Sequence, residues 1–274
     1  MLFLTVEQHQ EVLRRLRDLG RSQAEKIPYH SSGMEYTSVM LCFLLHNLSV
    51  AESLLRLADS FGHTWFPVTV GYTVTRTMFE TDVTAHYITQ APTDRAHQYI
   101  EFGHILNKRQ MDACSKHRES KHPQWREAMN LVWENHWAPQ ERDINKKFNA
   151  VAPQFTRTRT HIIRKEKQTI SQNWSGKTIR QMALEVDHAE AYDIFYAELS
   201  SFTHVDVHLA DRFLQNHTDG PTWSPRAEEY DVGNVFRHAA SFLTCYLRLF
   251  GRQFHTWSEE QVVNCWKMKK GAEK

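Results

Sequence analysis

The chain has 274 residues, which is enough to bury a substantial core without disulfides. Its 33 Lys and Arg residues nearly balance its 32 Asp and Glu residues, so no global charge draws it to nucleic acid or to a membrane surface. The four cysteines are widely spaced and form no C-x-x-C pair. This spacing argues against a zinc ribbon or a redox motif and indicates buried thiols in a reducing compartment.

We expect a cytoplasmic protein that makes no contact with a membrane. The opening residues MLFLT are too few for a signal peptide and lack a basic flank. No run approaches the roughly 18 apolar residues that a membrane span requires. Histidine is the outlier of the composition, with 17 residues.

Most of the chain repeats its apolar residues with a period near 3.6, and only 10 glycines and 8 prolines interrupt it. The pattern predicts an all-α protein, a single multi-helix bundle of about eight to nine helices. We expect an outer N-terminal helix within residues 1–30, a bundle core domain over 31–255, and a short C-terminal helix and tail over 256–274. Ser32–Phe61 is predicted as an inner helix, and Glu228–His255 as a central, buried one.

A predicted helix over Tyr72–Ile88 carries Arg76 and Glu80 four residues apart, and therefore on one face. Aromatic and aliphatic residues share that face, so we expect the pair to be at least half buried. Removing two opposite charges from water costs about as much free energy as their attraction gains, so a buried ion pair adds little to stability. The pair is therefore either a structural link between helices or part of a functional site. Asp82 and His86 are expected at the surface.

Two later segments carry aromatic or basic clusters. Pro123 begins a helix in which Trp125, Trp133 and Trp137 lie on a stripe that we expect to be core. A basic patch follows within residues 155–167, and its cations are Arg157, Arg159, Arg164, Lys165 and Lys167. These residues could hold the phosphate oxygens of RNA, and a solvated connecting loop is the alternative.

A helix is predicted from about residue 190 to 215, with an apolar stripe on one side. A second stripe on its other side contains Ser201, His204, His208 and Asp211. This second stripe is either solvated surface or one wall of a site. If it is a site, His204, His208 and Asp211 could bind zinc or another divalent ion, with Glu80 as a further ligand or base.

Three patterns together resemble a bacterial all-helical family known only as a domain of unknown function. They are Arg76-x-x-x-Glu80, Trp174-Ser-Gly-Lys-x-Ile-Arg and Tyr196-x-x-x-Ser200-x-x-x-His204. The resemblance spans about residues 36–208. It implies a helical bundle and marks Arg76, Glu80, Ser200 and His204 as the pattern positions. The layout is also similar to helical ribonuclease toxins of prokaryotic defence systems, which implies a homodimer.

Three functions remain open from the sequence. The first is a defence- or toxin-type effector that cleaves RNA without a metal, in which His204 moves a proton at the 2′-hydroxyl and Arg76 stabilises the phosphorane charge. No cofactor is expected in that case. The second is a divalent-metal hydrolase that uses the His204, His208 and Asp211 face. The third is a non-enzymatic helical interaction module whose polar centre specifies packing.

Overall fold

Helices make up most of the chain in its computed structural model, so the all-α prediction is confirmed. The structure describes residues 4–24, 27, 35–161, 164–203, 214–217, 220–223 and 226–267. The chain divides into two compact units, which the sequence did not indicate. Unit 1 comprises Met1–Gln90 and Ile179–Lys274, and unit 2 comprises Ala91–Thr178. The predicted boundaries at residues 30 and 255 stay predictions.

Long helices alternate with short helices, turns and strands along the described part of the chain. In chain order, the helices are α1 (Val6–Ala24), α2 (Glu35–Phe61), α3 (Val68–Thr89), α4 (Pro92–His117), α5 (Pro123–Val132), α6 (Glu141–Val151), α7 (Ile179–Glu185), α8 (Ala189–Ala191), α9 (Ala197–Thr203), α10 (Glu229–Phe254) and α11 (Glu259–Asn264). The strands are β1 (Thr156–His161), β2 (Arg164–Ile170), β3 (Leu214–His217) and β4 (Gly220–Trp223). Two π-helical turns, Trp133–Trp137 and Tyr192–Tyr196, interrupt the helical segments.

Helix α10 is the central element of unit 1 and packs against α1, α2 and α3. Its residues Phe236, Tyr246 and Phe250 are fully buried. The buried Tyr246 hydroxyl donates a hydrogen bond to the carbonyl oxygen of Met40 on α2. A helix that is apolar nearly all round must be covered on several sides, so the prediction of a central helix here is confirmed.

Helix α2 is the one helix of the described residues that is long and apolar enough to cross a membrane, contrary to the expectation that no run approaches that length. Its most apolar window is 61% buried inside unit 1. Met40, Leu44 and Leu54 on this helix are fully buried by neighbouring helices. Such burial is what a core helix of a soluble protein shows, while the cytoplasmic location stays a prediction.

Gly251 allows α10 to approach the segment after it closely. A Cβ atom at this position would lie 2.7 Å from the Trp257 ring and 3.0 Å from the Trp257 carbonyl oxygen. The ring is also fixed, since its Nε1 donates to the Leu247 carbonyl oxygen at 2.6 Å. We expect Gly251→Ala to lower the free energy of unfolding by about 1–3 kcal/mol, measured by denaturant titration.

Gly103 in α4 provides the control for that measurement. Apart from the neighbouring backbone of its own helix, no described atom lies within 4 Å of a Cβ built there. Gly103→Ala should therefore stabilise the protein by about 0.5–1 kcal/mol through helix propensity alone. An equal gain from Gly251→Ala would contradict the close packing of Trp257.

In unit 2, helices α4 and α6 and the first π-helical turn share a small core. Met111, Cys114, Trp137 and Ile144 are buried in it, with Met129 and Trp133 packed against them. The expectation that Trp125 belongs to this core is wrong, because its side chain is 64% exposed. No residue of α5 is buried, and Met129 is only partly buried against the core. The apolar stripe of this helix therefore meets the core near the end of α5 and not at Trp125.

Residues 155–167, for which a connecting loop was the alternative to a phosphate-binding patch, contribute to a β-hairpin. Strand β1 pairs antiparallel with β2, with Thr156 opposite Ile170 and Arg159 opposite Lys167. Alternating Thr and Arg residues favour a strand because β-branched residues recur with a period of two. The side chains of the predicted RNA-binding residues Arg157, Arg159, Arg164 and Lys165 lie outside the described part of the chain.

The predicted helix over residues 190–215 is confirmed at its start and wrong at its last two residues. The described part of its start consists of α8, the second π-helical turn and α9. Strand β3 begins at Leu214 and pairs antiparallel with β4. Leu214 and Gln215 pair with Trp223 and Thr222, so these two residues belong to a strand and not to the predicted helix. His204, His208 and Asp211 lie outside the described residues.

Candidate functional site

The Arg76 and Glu80 side chains form an ion pair on one face of α3. The guanidinium Nε of Arg76 donates to Glu80 Oε1 at 2.8 Å. The two side chains retain 17% and 32% of their exposure, so the prediction that they are at least half buried is confirmed. Neither charge is fully removed from solvent.

Two hydroxyl groups reach the same pair from the segment after α8. Arg76 Nη2 donates to the Tyr196 hydroxyl oxygen at 2.6 Å, and Nη1 lies 3.4 Å from Ser200 Oγ. The Tyr196 hydroxyl in turn donates to Glu80 Oε1 at 3.2 Å. The Arg76 guanidinium also lies over the Tyr196 ring, with 4.7 Å between Cζ and the ring centroid. We call Arg76, Glu80, Tyr196 and Ser200 the arginine cluster.

A π-helical turn positions Tyr196 in this cluster. The turn spans Tyr192–Tyr196 and leads directly into α9, which carries Ser200. Tyr192 and Tyr196 stack with 4.5 Å between ring centroids, and both contact Phe79 of α3. π turns are uncommon and occur often at functional sites. The stacked rings fix the direction in which the Tyr196 hydroxyl points.

The Tyr196 phenol remains a hydrogen-bond donor at neutral pH. Its burial raises its pKa above the ordinary value, and the nearby Glu80 carboxylate raises it further. The positive charge of Arg76 acts in the opposite direction and does not reverse the shift. Arg76 and the Tyr196 hydroxyl can thus both donate hydrogen bonds to one negatively charged ligand.

The structure brings together three of the four predicted catalytic residues, namely Arg76, Glu80 and Ser200. The fourth, His204, lies outside the described residues, as do the alternative metal ligands His208 and Asp211. Tyr196 belongs to one of the three sequence patterns but was not among the predicted catalytic residues. Its position four residues before Ser200 was the available signal, since residues four apart share a helix face.

A second polar group lies deeper in unit 1, between α3, α9 and α10. The buried Tyr72 hydroxyl lies 3.3 Å from Glu198 Oε1 and 3.4 Å from Asp231 Oδ1. Its ring stacks on Phe202 at 4.1 Å. His238 Nε2 lies 3.9 Å from Glu198 Oε2 and has no hydrogen-bond partner among the described atoms. These contacts link α9, which carries Ser200, to the core.

His238 should make the protein sensitive to mild acid. Burial lowers the pKa of His238 to about 4 from 6.5, and the positive charge of Arg237 acts in the same direction. The unfolded chain therefore binds the proton first as the pH falls, and stability is lost between about pH 6.5 and 4. Between pH 7 and pH 4.5, the free energy of unfolding should fall by about 2–3 kcal/mol less in His238→Gln than in the unchanged protein. Urea unfolding at both pH values measures this difference.

The unchanged protein, measured at the same two pH values, is the reference for that comparison. An identical pH dependence in His238→Gln and in the unchanged protein would contradict a buried neutral imidazole at position 238.

A third cluster lies on another face of α3, where the sequence pattern predicts surface. Asp82 is 1% exposed, so that expectation is wrong for this residue. His188, just before α8, places Nε2 3.3 Å from Asp82 Oδ2, and His86 Nδ1 lies 3.3 Å from Oδ1. Helix α3 is covered on more than one side, which a single apolar stripe does not reveal. We call Asp82, His86 and His188 the aspartate cluster.

The charges of the aspartate cluster stabilise one another. The hydrogen bond to Asp82 raises the pKa of His188 despite its burial. Burial alone would raise the pKa of Asp82, but its interactions with His188 and His86 outweigh that effect and lower it. The buried carboxylate is therefore ionised at neutral pH.

Comparison with protein families identified one match. The sequence profile of a family of unknown function, DUF5677, matches residues 37–221. This region contains every residue of the arginine cluster and of the aspartate cluster. Comparisons with curated proteins and with solved structures found no match. The chemistry of the site must therefore be inferred from its own residues.

Proposed function

We propose that this chain, which belongs to the DUF5677 family of unknown function, cleaves RNA without a metal ion and does so at the arginine cluster. The observation that supports the proposal is the position of one partly exposed guanidinium, within hydrogen-bonding distance of Glu80, Tyr196 and Ser200. RNA carries its own nucleophile, the 2′-hydroxyl. Its cleavage requires a base, a group that stabilises charge on the phosphate, and an acid.

Each of these tasks has a candidate. The phosphate of the substrate competes with Glu80 for the Arg76 guanidinium, which binds phosphate oxygens bidentately. Glu80, released from part of its ion pair, then accepts the proton of the 2′-hydroxyl. Arg76 and the Tyr196 hydroxyl stabilise the negative charge that develops on the phosphorane. Ser200 positions the guanidinium through its Oγ.

The reaction balances without an added reactant. The 2′-oxygen forms a bond to phosphorus, and the bond between phosphorus and the 5′-oxygen breaks. Glu80 takes the proton from the 2′-hydroxyl, a role that the sequence alone assigned to His204. His204, which follows Ser200 by four residues in the sequence, instead gives a proton to the leaving 5′-oxygen. The products are a 2′,3′-cyclic phosphate and a 5′-hydroxyl.

The basic hairpin and the biological setting are further parts of the proposal. We assign Arg157, Arg159, Arg164 and Lys165 to binding of the RNA backbone, since Arg and Lys residues that neutralise phosphates provide affinity independent of sequence. A defence- or toxin-type effector in the cytoplasm, acting as a homodimer, accords with such an activity. Light scattering of the purified protein tests the dimer.

The proposal is tested with purified protein and a single-stranded RNA oligonucleotide in the presence of excess EDTA. We expect cleavage of the RNA, no cleavage of the DNA oligonucleotide of the same sequence, and no stimulation by magnesium or manganese. DNA lacks the 2′-hydroxyl and serves as the substrate control. Cleavage of both substrates, or cleavage only when a metal is added, would contradict the proposal.

A further inference from the structure

The aspartate cluster has the composition and spacing of a transition-metal site. Asp82, His86 and His188 each offer one ligand atom, and the three atoms lie within 4.8 Å of one another. No other group of three such side chains occurs in the part of the chain that the structure describes. Two imidazoles and one carboxylate suit zinc and related first-row ions, whereas magnesium and calcium prefer oxygen ligands only.

The separation between the ligand atoms fits a tetrahedral ion. Two ligands that each lie about 2.1 Å from a tetrahedral zinc ion are about 3.4 Å apart. The distance from Asp82 Oδ2 to His188 Nε2 is 3.3 Å. The two atoms can therefore share one ion without any large movement of the backbone.

The hydrogen bond on the far side of His188 fixes which nitrogen faces Asp82. His188 Nδ1 lies 2.7 Å from the Val186 carbonyl oxygen, so it must carry a proton and donate it. Without a metal ion, Nε2 carries a second proton and donates it to Asp82 Oδ2. In the neutral ring Nε2 has a lone pair, so a metal ion can replace that proton between the two atoms. An N–H donated to a backbone carbonyl is also the usual partner of a metal-bound histidine.

Asp82 itself provides a second, independent observation. The residue is 1% exposed, yet its Oδ1 has no hydrogen-bond partner among the described atoms. His86 Nδ1 is close to this oxygen, but its hydrogen bond goes to the Asp82 backbone oxygen at 3.0 Å. A buried carboxylate oxygen without a partner is costly, and a bound cation removes that cost.

We propose that Asp82, His86 and His188 bind one zinc ion. The side chains of His86 and His188 are 24% and 21% exposed, so a water molecule can take a fourth position on their solvent side. The ion joins α3 to the connection between α7 and α8. It thereby fixes the start of the segment that carries Tyr196, and its role is separate from the proton transfers at the arginine cluster.

Zinc binding is tested directly on the purified chain, without any measurement of activity. Protein prepared without chelator and analysed by mass spectrometry of its metals should contain about one zinc ion per chain. After removal of the ion, addition of zinc should raise the midpoint of thermal unfolding, because a ligand that binds only the folded state stabilises it. Cobalt should give the intense visible absorption of a four-coordinate site. A midpoint that zinc does not change would overturn the proposal even if every variant failed to fold.

Variants identify the ligands. Asp82→Asn and His188→Gln should each weaken zinc binding by more than about 100-fold in calorimetric titration. Such a loss exceeds the effect of removing a residue that only hydrogen-bonds to a ligand. His97→Gln is the matched control, since His97 and Glu101 form an imidazole–carboxylate pair at 3.2 Å with the same spacing of four residues. Its affinity should be unchanged. Retention of zinc by Asp82→Asn together with its loss from His208→Ala would overturn the assignment in favour of the His204, His208 and Asp211 face.

Discussion

Glu80→Gln should slow RNA cleavage by about 100- to 10,000-fold, which is the usual contribution of a general base. Glutamine keeps the shape of glutamate and can still accept a hydrogen bond from the Tyr196 hydroxyl, which lies 3.2 Å from Glu80 Oε1. It cannot take the proton of the 2′-hydroxyl. The rate is measured with RNA at saturation, so that a change in binding does not enter the comparison.

Glu52→Gln is the matched control for Glu80→Gln. Glu52 is also a partly buried carboxylate, 20% exposed, and it forms ion pairs with Arg17 and Arg56. Its replacement should leave the rate of RNA cleavage unchanged. Equal rates for Glu80→Gln and the unchanged protein would remove the base from the mechanism and leave Glu80 as the structural partner of Arg76.

Arg76→Lys should reduce the rate of RNA cleavage by about 100- to 1000-fold, the range seen when one donor to a developing oxyanion is lost. Lysine retains the positive charge but presents a point charge in place of the planar fork. It therefore cannot contact Glu80, Tyr196 and Ser200 in the way that the guanidinium does. Cleavage kinetics and the midpoint of thermal unfolding are measured on the same preparation.

Arg17→Lys is the control, because Arg17 is an ion-paired guanidinium of nearly the same exposure, 15% against 17% for Arg76. We expect a comparable, small change in unfolding midpoint for the two variants and a loss of activity for Arg76→Lys alone. If Arg76→Lys lowers only the midpoint and leaves cleavage intact, the arginine cluster is structural. The function of a non-enzymatic helical module would then be favoured.

Much of the fold could be predicted from the sequence because the helices of unit 1 have strong apolar periodicity. Helix α10 begins and ends within one residue of its predicted bounds, and the predicted burial of Phe236 and Tyr246 is confirmed. Predictions were wrong where tertiary packing, and not periodicity, decides the outcome. Trp125 is exposed although it lies on the apolar stripe of α5. The helix predicted from residue 190 extends too far, because β3 begins at Leu214.

The candidate site was predicted only in part, because some of its contacts join segments that are distant in the sequence. Arg76 and Glu80 are four residues apart on one helix, so their contact follows from helix geometry alone. The contact of Tyr196 with both depends on a π turn that the sequence pattern does not indicate. His188 meets Asp82 only because the connection between α7 and α8 passes beside α3. Contacts between distant segments of this kind depend on tertiary packing, which periodicity does not specify.

The chemical ends of the RNA fragments provide the most direct test of cleavage at the arginine cluster. Attack by the 2′-hydroxyl must leave a 2′,3′-cyclic phosphate on one fragment and a 5′-hydroxyl on the other. Mass spectrometry of the fragments made in excess EDTA distinguishes these ends from those made by attack of water. We predict that the unchanged protein and Glu52→Gln produce the cyclic phosphate and that Glu80→Gln does not. Fragments that end in a 3′-hydroxyl and a 5′-phosphate, or RNA that stays intact, would contradict the proposed mechanism.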